Sequence, residues 1–377
     1  MNLSNIVLIV IIIIIILLLS SRIAHPFLSR IVIFRYIDFD YWFSLFTSFP
    51  SIIERNTWPS LKHYYQPEYV QLLSNPTTQD YQDLQEMVMR NFNTPLAKYN
   101  YTIDTPTLET LHYGHNKDIY LSCFSLGKRI SMMMMTPVNI KLGKSHTYDA
   151  YYGDYLCTEK AYRKNGYGAK LYYSTAYALH EKGTQVFLSK KEGRSLPLVV
   201  PLLKFKTYVY DMTYWKAEHS IKAPFQMKTL EHLRYVDVSL FANQISVGHE
   251  NIEELIKIGY MKFFSLSFED KVIALFCFKD PHFMYKKGKA IECFATIVYE
   301  ENREELIRNA FLHILVNELR EKQNYSVLLM EELAHNVSLY MFLKKKYLEL
   351  YSVWTYYYIY NLKMKTIRKK DSFICLP

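Results

Sequence analysis

The sequence predicts an α/β protein made of two similar halves set side by side and preceded by a membrane-spanning helix. Three observations predict it. The order hairpin, strand, helix, strand occurs twice; the apolar residues of both helices fall at helical spacing; and 377 residues are enough to bury two such cores. In the first half "IYLSCFSL" and "RISMMMM" flank a Gly-Lys turn, and "VNIKL" and "AYYGDYLC" follow as strands. A helix then turns Leu171, Thr175, Ala178 and Leu179 inward, and the strand "QVFLS" follows. The second half repeats this with the hairpin "FFSLSFED" and "KVIALFCFK", the strand "AIECFATIVY", a helix burying Leu306, Ala310, Ile314 and Leu315, and the strand "YSVLLM". A shorter helix near Leu339 to Lys346 and the strand "VWTYYYIYNL" complete it. Ahead of both halves, a helical segment is predicted near Tyr81 to Asn91. The division reads as 1–36 for the anchor and its basic flank, 37–225 for the N-terminal half and 226–377 for the C-terminal half.

The anchor is the run "LSNIVLIVIIIIIILLL", Leu3 to Leu19, which is free of charge and just long enough to span a bilayer at about 1.5 Å per residue. It lacks the basic start and small-residue cleavage site of a signal peptide. Arg22, Arg30 and Arg35 follow it, so the reading is a single-pass membrane protein with its body in the cytosol. The five cysteines agree: Cys123, Cys157, Cys277, Cys293 and Cys375 are widely spaced and mostly inside apolar runs, as reduced core thiols are. No pair has metal-ligand spacing, so no metal is expected. The four methionines at 132 to 135 read as strand core.

Lys+Arg of 45 against Asp+Glu of 36 gives a net charge of +9, which suits nucleic acid, an anionic membrane surface, a polyanionic nucleotide, or no partner at all. Zinc-finger spacing and RNA-recognition signatures are missing, so no nucleic acid is expected.

The stretch Arg163-Lys164-Asn165-Gly166-Tyr167-Gly168 sits between the strand ending at Cys157 and the helix. Free amides at a helix start, with the helix dipole behind them, form an anion site. Gly166 and Gly168 let that backbone approach a diphosphate, while Arg163, Lys164 and Lys160 add charge. The bland alternative is that both glycines only make a turn. At the equivalent junction of the second half, "YEENREELIRNA", Glu300, Glu301, Glu304 and Glu305 crowd the helix start, where they suit the dipole and repel a diphosphate. Only the first half is expected to hold a nucleotide.

An ordered series of segments resembles the N-myristoyltransferases, a family of double-GNAT proteins. "TPVNIKL" (Thr136 to Leu142) is similar to that family's Pro-Ala-Asn-Ile strand, "YLCTEKAYRKNGYGA" to its Phe-Leu-Cys-Val-His-Lys-Lys-Leu-Arg stretch, and "YYIYNLK" (Tyr357 to Lys363) to its Tyr-Tyr-Leu-Tyr-Asn-Trp strand. The likeness covers roughly Leu84 to Pro377. It implies two tandem GNAT-like halves related by pseudo-two-fold symmetry, the first binding acyl-CoA and the second a peptide. It also implies transfer of myristoyl from myristoyl-CoA, as co-substrate rather than resident cofactor, to the N-terminal glycine of proteins, by a monomer.

The resemblance maps acyl-CoA contacts onto Tyr155, Leu156, Cys157 and the loop Arg163, Lys164, Asn165, Gly166, Tyr167, Gly168 and Ala169. The backbone amides of Tyr155 and Leu156 would polarise the thioester carbonyl. The carboxylate of Pro377 would serve as base, and Tyr99, Tyr101 and Asn361 would face the peptide. The chain also departs from the family. Its Gly-Asp-Gly before the last strand is "YLELYSVW" here, its His-Arg pair after the first half is not evident in "FKTYVYDM", and its acidic loop shrinks to "NFNTPLAKYNY". Two other readings therefore stay open: a GNAT acyltransferase with another acyl group or acceptor, and an inactive tethered scaffold that binds acyl-CoA or peptide.

Overall fold

The computed structural model describes residues 51–52, 64–93, 98–143, 146–196, 200–216, 221–233, 245–248, 250–269, 271–363 and 366–376. The expected anchor Leu3 to Leu19, its flank at Arg22, Arg30 and Arg35, and Pro377 lie outside them. Among the described residues no helix is long and apolar enough to cross a membrane.

The chain begins with β1 (Ser51–Ile52), β2 (Val70–Leu73), α1 (Thr78–Phe92), β3 (Tyr99–Tyr101) and α2 (Thr105–His112). The first α/β unit is β4 (Tyr120–Ser125), β5 (Arg129–Leu142), β6 (His146–Thr158), α3 (Tyr167–Glu181) and β7 (Val186–Glu192). Next come β8 (Leu203–Asp211), β9 (Phe225–Leu230), β10 (Ile245–Gly248) and α4 (Ile252–Lys257). The second unit is β11 (Met261–Phe268), β12 (Lys271–Lys279), β13 (Phe283–Tyr285), β14 (Gly288–Val298), α5 (Glu304–His313) with a π-helical extension Ile314–Glu321, and β15 (Tyr325–Glu331). The last elements are α6 (Asn336–Lys346), β16 (Glu349–Tyr360), β17 (Leu362–Lys363) and β18 (Ser372–Cys375).

Most strands join one sheet, in the order β18-β10-β5-β6-β7-β16-β8-β15-β14-β12-β11-β9. Its two halves repeat each other: β5 is antiparallel to β6, β6 parallel to β7, and β7 antiparallel to β16, as β12 is to β14, β14 to β15, and β15 to β8. Each parallel pair needs a helix to return the chain, and α3 and α5 supply it. One feature was not legible in the sequence. The strand closing the first unit, β16, comes from the end of the chain, and the strand closing the second, β8, comes from before residue 225. The expected division at 225/226 therefore cuts the sequence but not the sheet, because β8 and β16 pair with each other at its centre.

Burial explains the strand compositions. β5 is buried along nearly its whole length, which a strand tolerates only when both faces are covered. Met132 and Met134 pack with Tyr81, Leu84 and Val88 of α1, and Met133 and Met135 pack with Leu171, Ala176 and Leu179 of α3. The period of two thus divides the methionine run between two cores. On α3, Leu171, Thr175 and Leu179 are buried as expected, while Ala176 rather than Ala178 lies fully inside. The helix expected near Tyr81 to Asn91 is α1, started by a capping box between Thr77 and Asp80. All five cysteines are free and buried.

Phe205 of β8 and Tyr357 of β16 stack across the exchanged pair at 5.9 Å and are both buried. Truncating Phe205 to Ala should cost about 3–5 kcal/mol, as removal of a core aromatic does. Chemical denaturation should show that loss in a single transition, since each half is closed by a strand of the other.

Candidate active site

The site begins at an irregularity in β6. Cys157 pairs with Met132 and Asp154 with Met134, so Tyr155 and Leu156 together stand opposite Met133, as in a β-bulge. Tyr155 takes a left-handed φ of 51°, rare for a residue with a side chain. Its amide donates to Asp154 Oδ1 at 2.8 Å. One of the two amides expected to polarise a thioester is thus engaged by the neighbouring carboxylate.

The start of α3 lies against this bulge. A Cβ on Gly168 would stand 3.3 Å from Thr158 Oγ1 and 3.9 Å from the Leu156 side chain, so glycine lets helix and strand approach closely. Gly166 acts differently. It is the N-cap of α3 with φ 76°, and nothing lies within 4 Å of the place a Cβ would take; it supplies the left-handed turn, as Lys164 with φ 69° also does. No side chain caps α3 and its first turn holds no acid, so the amides of Tyr167, Gly168 and Ala169 have no acceptor within the helix.

Arg163 was expected to face phosphate. Its Nε instead donates to the Thr158 carbonyl and its Nη2 to the Asn91 carbonyl, both at 3.0 Å, which ties the loop to the end of α1. Lys164 and Asn165 are exposed. At the matching junction of the second half, Glu300 pairs with Lys271 at 3.0 Å and Arg303 at 2.8 Å, and Arg303 lies over the Phe268 ring. That helix start is occupied by the protein's own ions.

A cavity of about 900 Å³ runs from Gly168 and Ala169 past Tyr155 and Leu156 to Tyr99 and Tyr101. Six of the expected site residues thus share one space. The aromatic end is built by pairing β3 with β13, Tyr99 opposite Tyr285 and Tyr101 opposite Phe283, with the Tyr99 and Phe283 rings 4.1 Å apart.

The other expected residues that the structure describes do not line it. Cys157 points under α1, its Sγ 3.6 Å from the Met87 carbonyl, and burial pushes its thiol up to about 11. Tyr167 packs on Phe124 and Tyr162. Asn361, expected to meet the peptide, is buried and donates to the Gln185 carbonyl at 3.0 Å; with φ 62° it turns the chain after β16. Its side chain is committed to the fold.

Sequence reasoning missed the charged floor of the cavity. Lys190 of β7 donates to Glu331 of β15 at 3.0 Å and stands 3.8 Å from Glu292 of β14. Lys279 of β12 lies 3.4 Å from Glu292 and donates to the Leu376 carbonyl at 2.7 Å, which brings the end of the described chain to the same floor. Burial works to lower the Lys190 ammonium, but Glu331 and Glu292 outweigh it and hold it well above its ordinary value. Burial would raise Glu292, but Lys279 and Lys190 hold it down. Glu331 goes the other way: burial and the charge of Glu292 push it up to about 8 against the pull of Lys190. Burial likewise raises Asp154 to about 6. The signal was present, since Glu292 interrupts the apolar run "AIECFATIVY", but its partners are remote in sequence.

No protein-family model and no curated protein matches the chain. Solved structures do match its fold. A Saccharomyces cerevisiae N-myristoyltransferase crystallised with myristoyl-CoA is 11% identical with a TM-score of 0.61, covering 89% of this chain and 94% of that one. A second structure of that enzyme with myristoyl-CoA gives 10% identity and a TM-score of 0.64, over 86% of each chain. A tandem GNAT protein from the clavulanic acid biosynthesis pathway gives 12% identity and a TM-score of 0.52, over 77% of this chain and 98% of that one. The protein is a mixed α/β chain with the double-GNAT fold found in the N-myristoyltransferases.

Proposed function

We propose that the protein is an acyl-CoA-dependent N-acyltransferase, and more narrowly that it moves myristoyl from myristoyl-CoA to the N-terminal glycine amine of proteins. One observation carries the reading: a single cavity touches the uncapped start of α3, the bulge at Tyr155 and Leu156, and the aromatic wall at Tyr99 and Tyr101. Those are the three places such a transfer needs, for the coenzyme's phosphates, the thioester and the acceptor. The amides at the start of α3 suit a diphosphate, with Lys164 adding exposed charge. The amides of Tyr155 and Leu156 suit a thioester oxygen, that of Tyr155 after exchanging Asp154 for the carbonyl. The likeness to the N-myristoyltransferases in both fold and motif order supports myristoyl as the acyl group and glycine as the acceptor. We also propose that Leu3 to Leu19 tethers the enzyme to a membrane with its body on the cytosolic side, since an uncharged run of that length can span the hydrocarbon core.

The deciding experiment is binding and turnover of acetyl-, octanoyl- and myristoyl-CoA with glycine-first peptides and alanine-first controls. Glycine-dependent transfer of myristoyl is the expected result. Transfer of another acyl group would keep the enzyme and change its substrate, and tight acyl-CoA binding without transfer to any peptide would make the chain a binding scaffold.

Two variants separate the loop's roles. Lys164→Ala should weaken acyl-CoA binding by up to about fivefold, the range of an exposed ion pair, with an unchanged Tm. Arg163→Ala should lower stability by about 1–3 kcal/mol in denaturant unfolding, because it removes charge-assisted hydrogen bonds to two carbonyls. For the tether, the full chain should resist alkaline extraction from membranes, and a chain beginning after Tyr36 should be released.

A further inference from the structure

Asp154, Glu192 and Glu292 line the cavity together with Lys98, Lys190, Lys191 and Lys279, and Glu331 lies behind them on Lys190. Asp154, Glu292 and Glu331 stand against Lys190 and Lys279, and both lysines already have close partners in Glu331 and the Leu376 carbonyl. Two carboxylate oxygens are left over. Glu292 Oε1 is buried and accepts no hydrogen bond, lying 3.4 Å from Lys279 and 3.8 Å from Lys190. Asp154 accepts only through Oδ1, and its other oxygen has no hydrogen-bond partner among the described residues. Both side chains line the cavity. Burial and the charge of Glu292 push Glu331 up to about 8. An ammonium ion entering the cavity would find the free Asp154 and Glu292 oxygens as acceptors.

We propose that Asp154 seats the acceptor amine as an ammonium ion and takes the proton that makes it a nucleophile. This rests on the acyl-transfer reading above and places the proton acceptor on β6, beside the bulge. The ammonium gives one proton to the Asp154 carboxylate. The freed nitrogen lone pair attacks the thioester carbonyl carbon, the carbon–sulfur bond breaks, and the nitrogen's next proton goes to the departing coenzyme A thiolate. Amide and thiol leave, and Asp154 returns its proton to solvent. Position gives Asp154 this part. It is the last residue paired with β5 before Tyr155 kinks the strand, so its carboxylate adjoins the amides that face the reacting carbonyl.

The electrostatics agree. Burial raises the Asp154 carboxyl to about 6, against the pull of Lys190 and Lys279. A peptide α-amino group titrates at roughly 7.7–8.0, so the proton moves between groups about two units apart, a gap that general-base transfer tolerates. The charged groups facing Asp154 are Lys190 and Glu192 from β7 and Lys279 from β12. Tyr101 of β3, Tyr260 just before β11 and Tyr357 of β16 face it, with Tyr152 and Tyr155 of its own strand; burial raises all five, so they stay neutral.

The test uses the full chain with myristoyl-CoA and a glycine-first peptide, comparing wild type, Asp154→Asn and Asp154→Glu. Wild-type kcat/KM should fall as pH drops through about 6, where Asp154 becomes protonated. Asp154→Asn should lose that limb and about 100-fold or more in kcat, with unchanged myristoyl-CoA binding and Tm. Asp154→Glu should restore part of the rate and a shifted limb. Retention of both rate and limb by Asp154→Asn overturns the proposal, and loss of rate on extending the chain beyond Pro377 in the same experiment would assign the proton to that carboxylate. Binding of the peptide and of its N-acetylated form, measured by calorimetry, keeps the two readings apart. If wild type transfers nothing, weaker binding of the free-amine peptide to Asp154→Asn than to wild type still supports the ammonium seat while acyl transfer fails. Equal binding to both proteins overturns the seat.

Discussion

The pairing of β8 with β16 is the constraint on which the rest of the molecule depends. Each is the closing strand of the other half's sheet, and together they fuse two α/β units into one continuous surface. The cavity lies along this seam. Its lining includes residues of β6, α3 and β7 of the first unit, β12, β13 and β14 of the second, and β3 and β16, so neither unit alone could form it. The buried Lys190–Glu331 pair spans the same seam at 3.0 Å.

Buried ions at that seam need a reason beyond stability. Desolvating a charge costs several kcal/mol, and a buried ion pair often contributes no more than well-packed apolar residues would, whereas removing one partner costs about 3–5 kcal/mol. Lys279, Glu292 and Glu331 are nearly inaccessible and Lys190 is largely buried, while Asp154 and Glu292 face the cavity. An apolar floor would have packed as well and would have offered an incoming cation nothing.

The loop before α3 shows how one motif divides its labour. Gly166 supplies a left-handed backbone, Gly168 a close contact between helix and strand, and Arg163 a clamp on the end of α1. Arg163 thereby fixes the amides of the helix start. The second unit repeats the topology with a different helix start, where Glu300 is held between Lys271 and Arg303.

The sequence by itself determined the elements and their faces. A period of two divided the methionines of β5 between two cores, a period of 3.6 set the inward face of α3, and the repeated order exposed the two units. It also located the helix start, a local feature of one short stretch, whereas Tyr155 and Leu156 were reached only through the resemblance to the N-myristoyltransferases. Only the tertiary structure decided the strand exchange, because apolar alternation records that a strand is buried but not which strand lies beside it. For the same reason Asn361 and Cys157 matched a motif and still turned away from the cavity, held by the Gln185 and Met87 carbonyls. The charged floor was hidden as well. Lys190 and Glu331 lie 141 positions apart, and the meaning of a buried charge is set by the partners that folding brings to it.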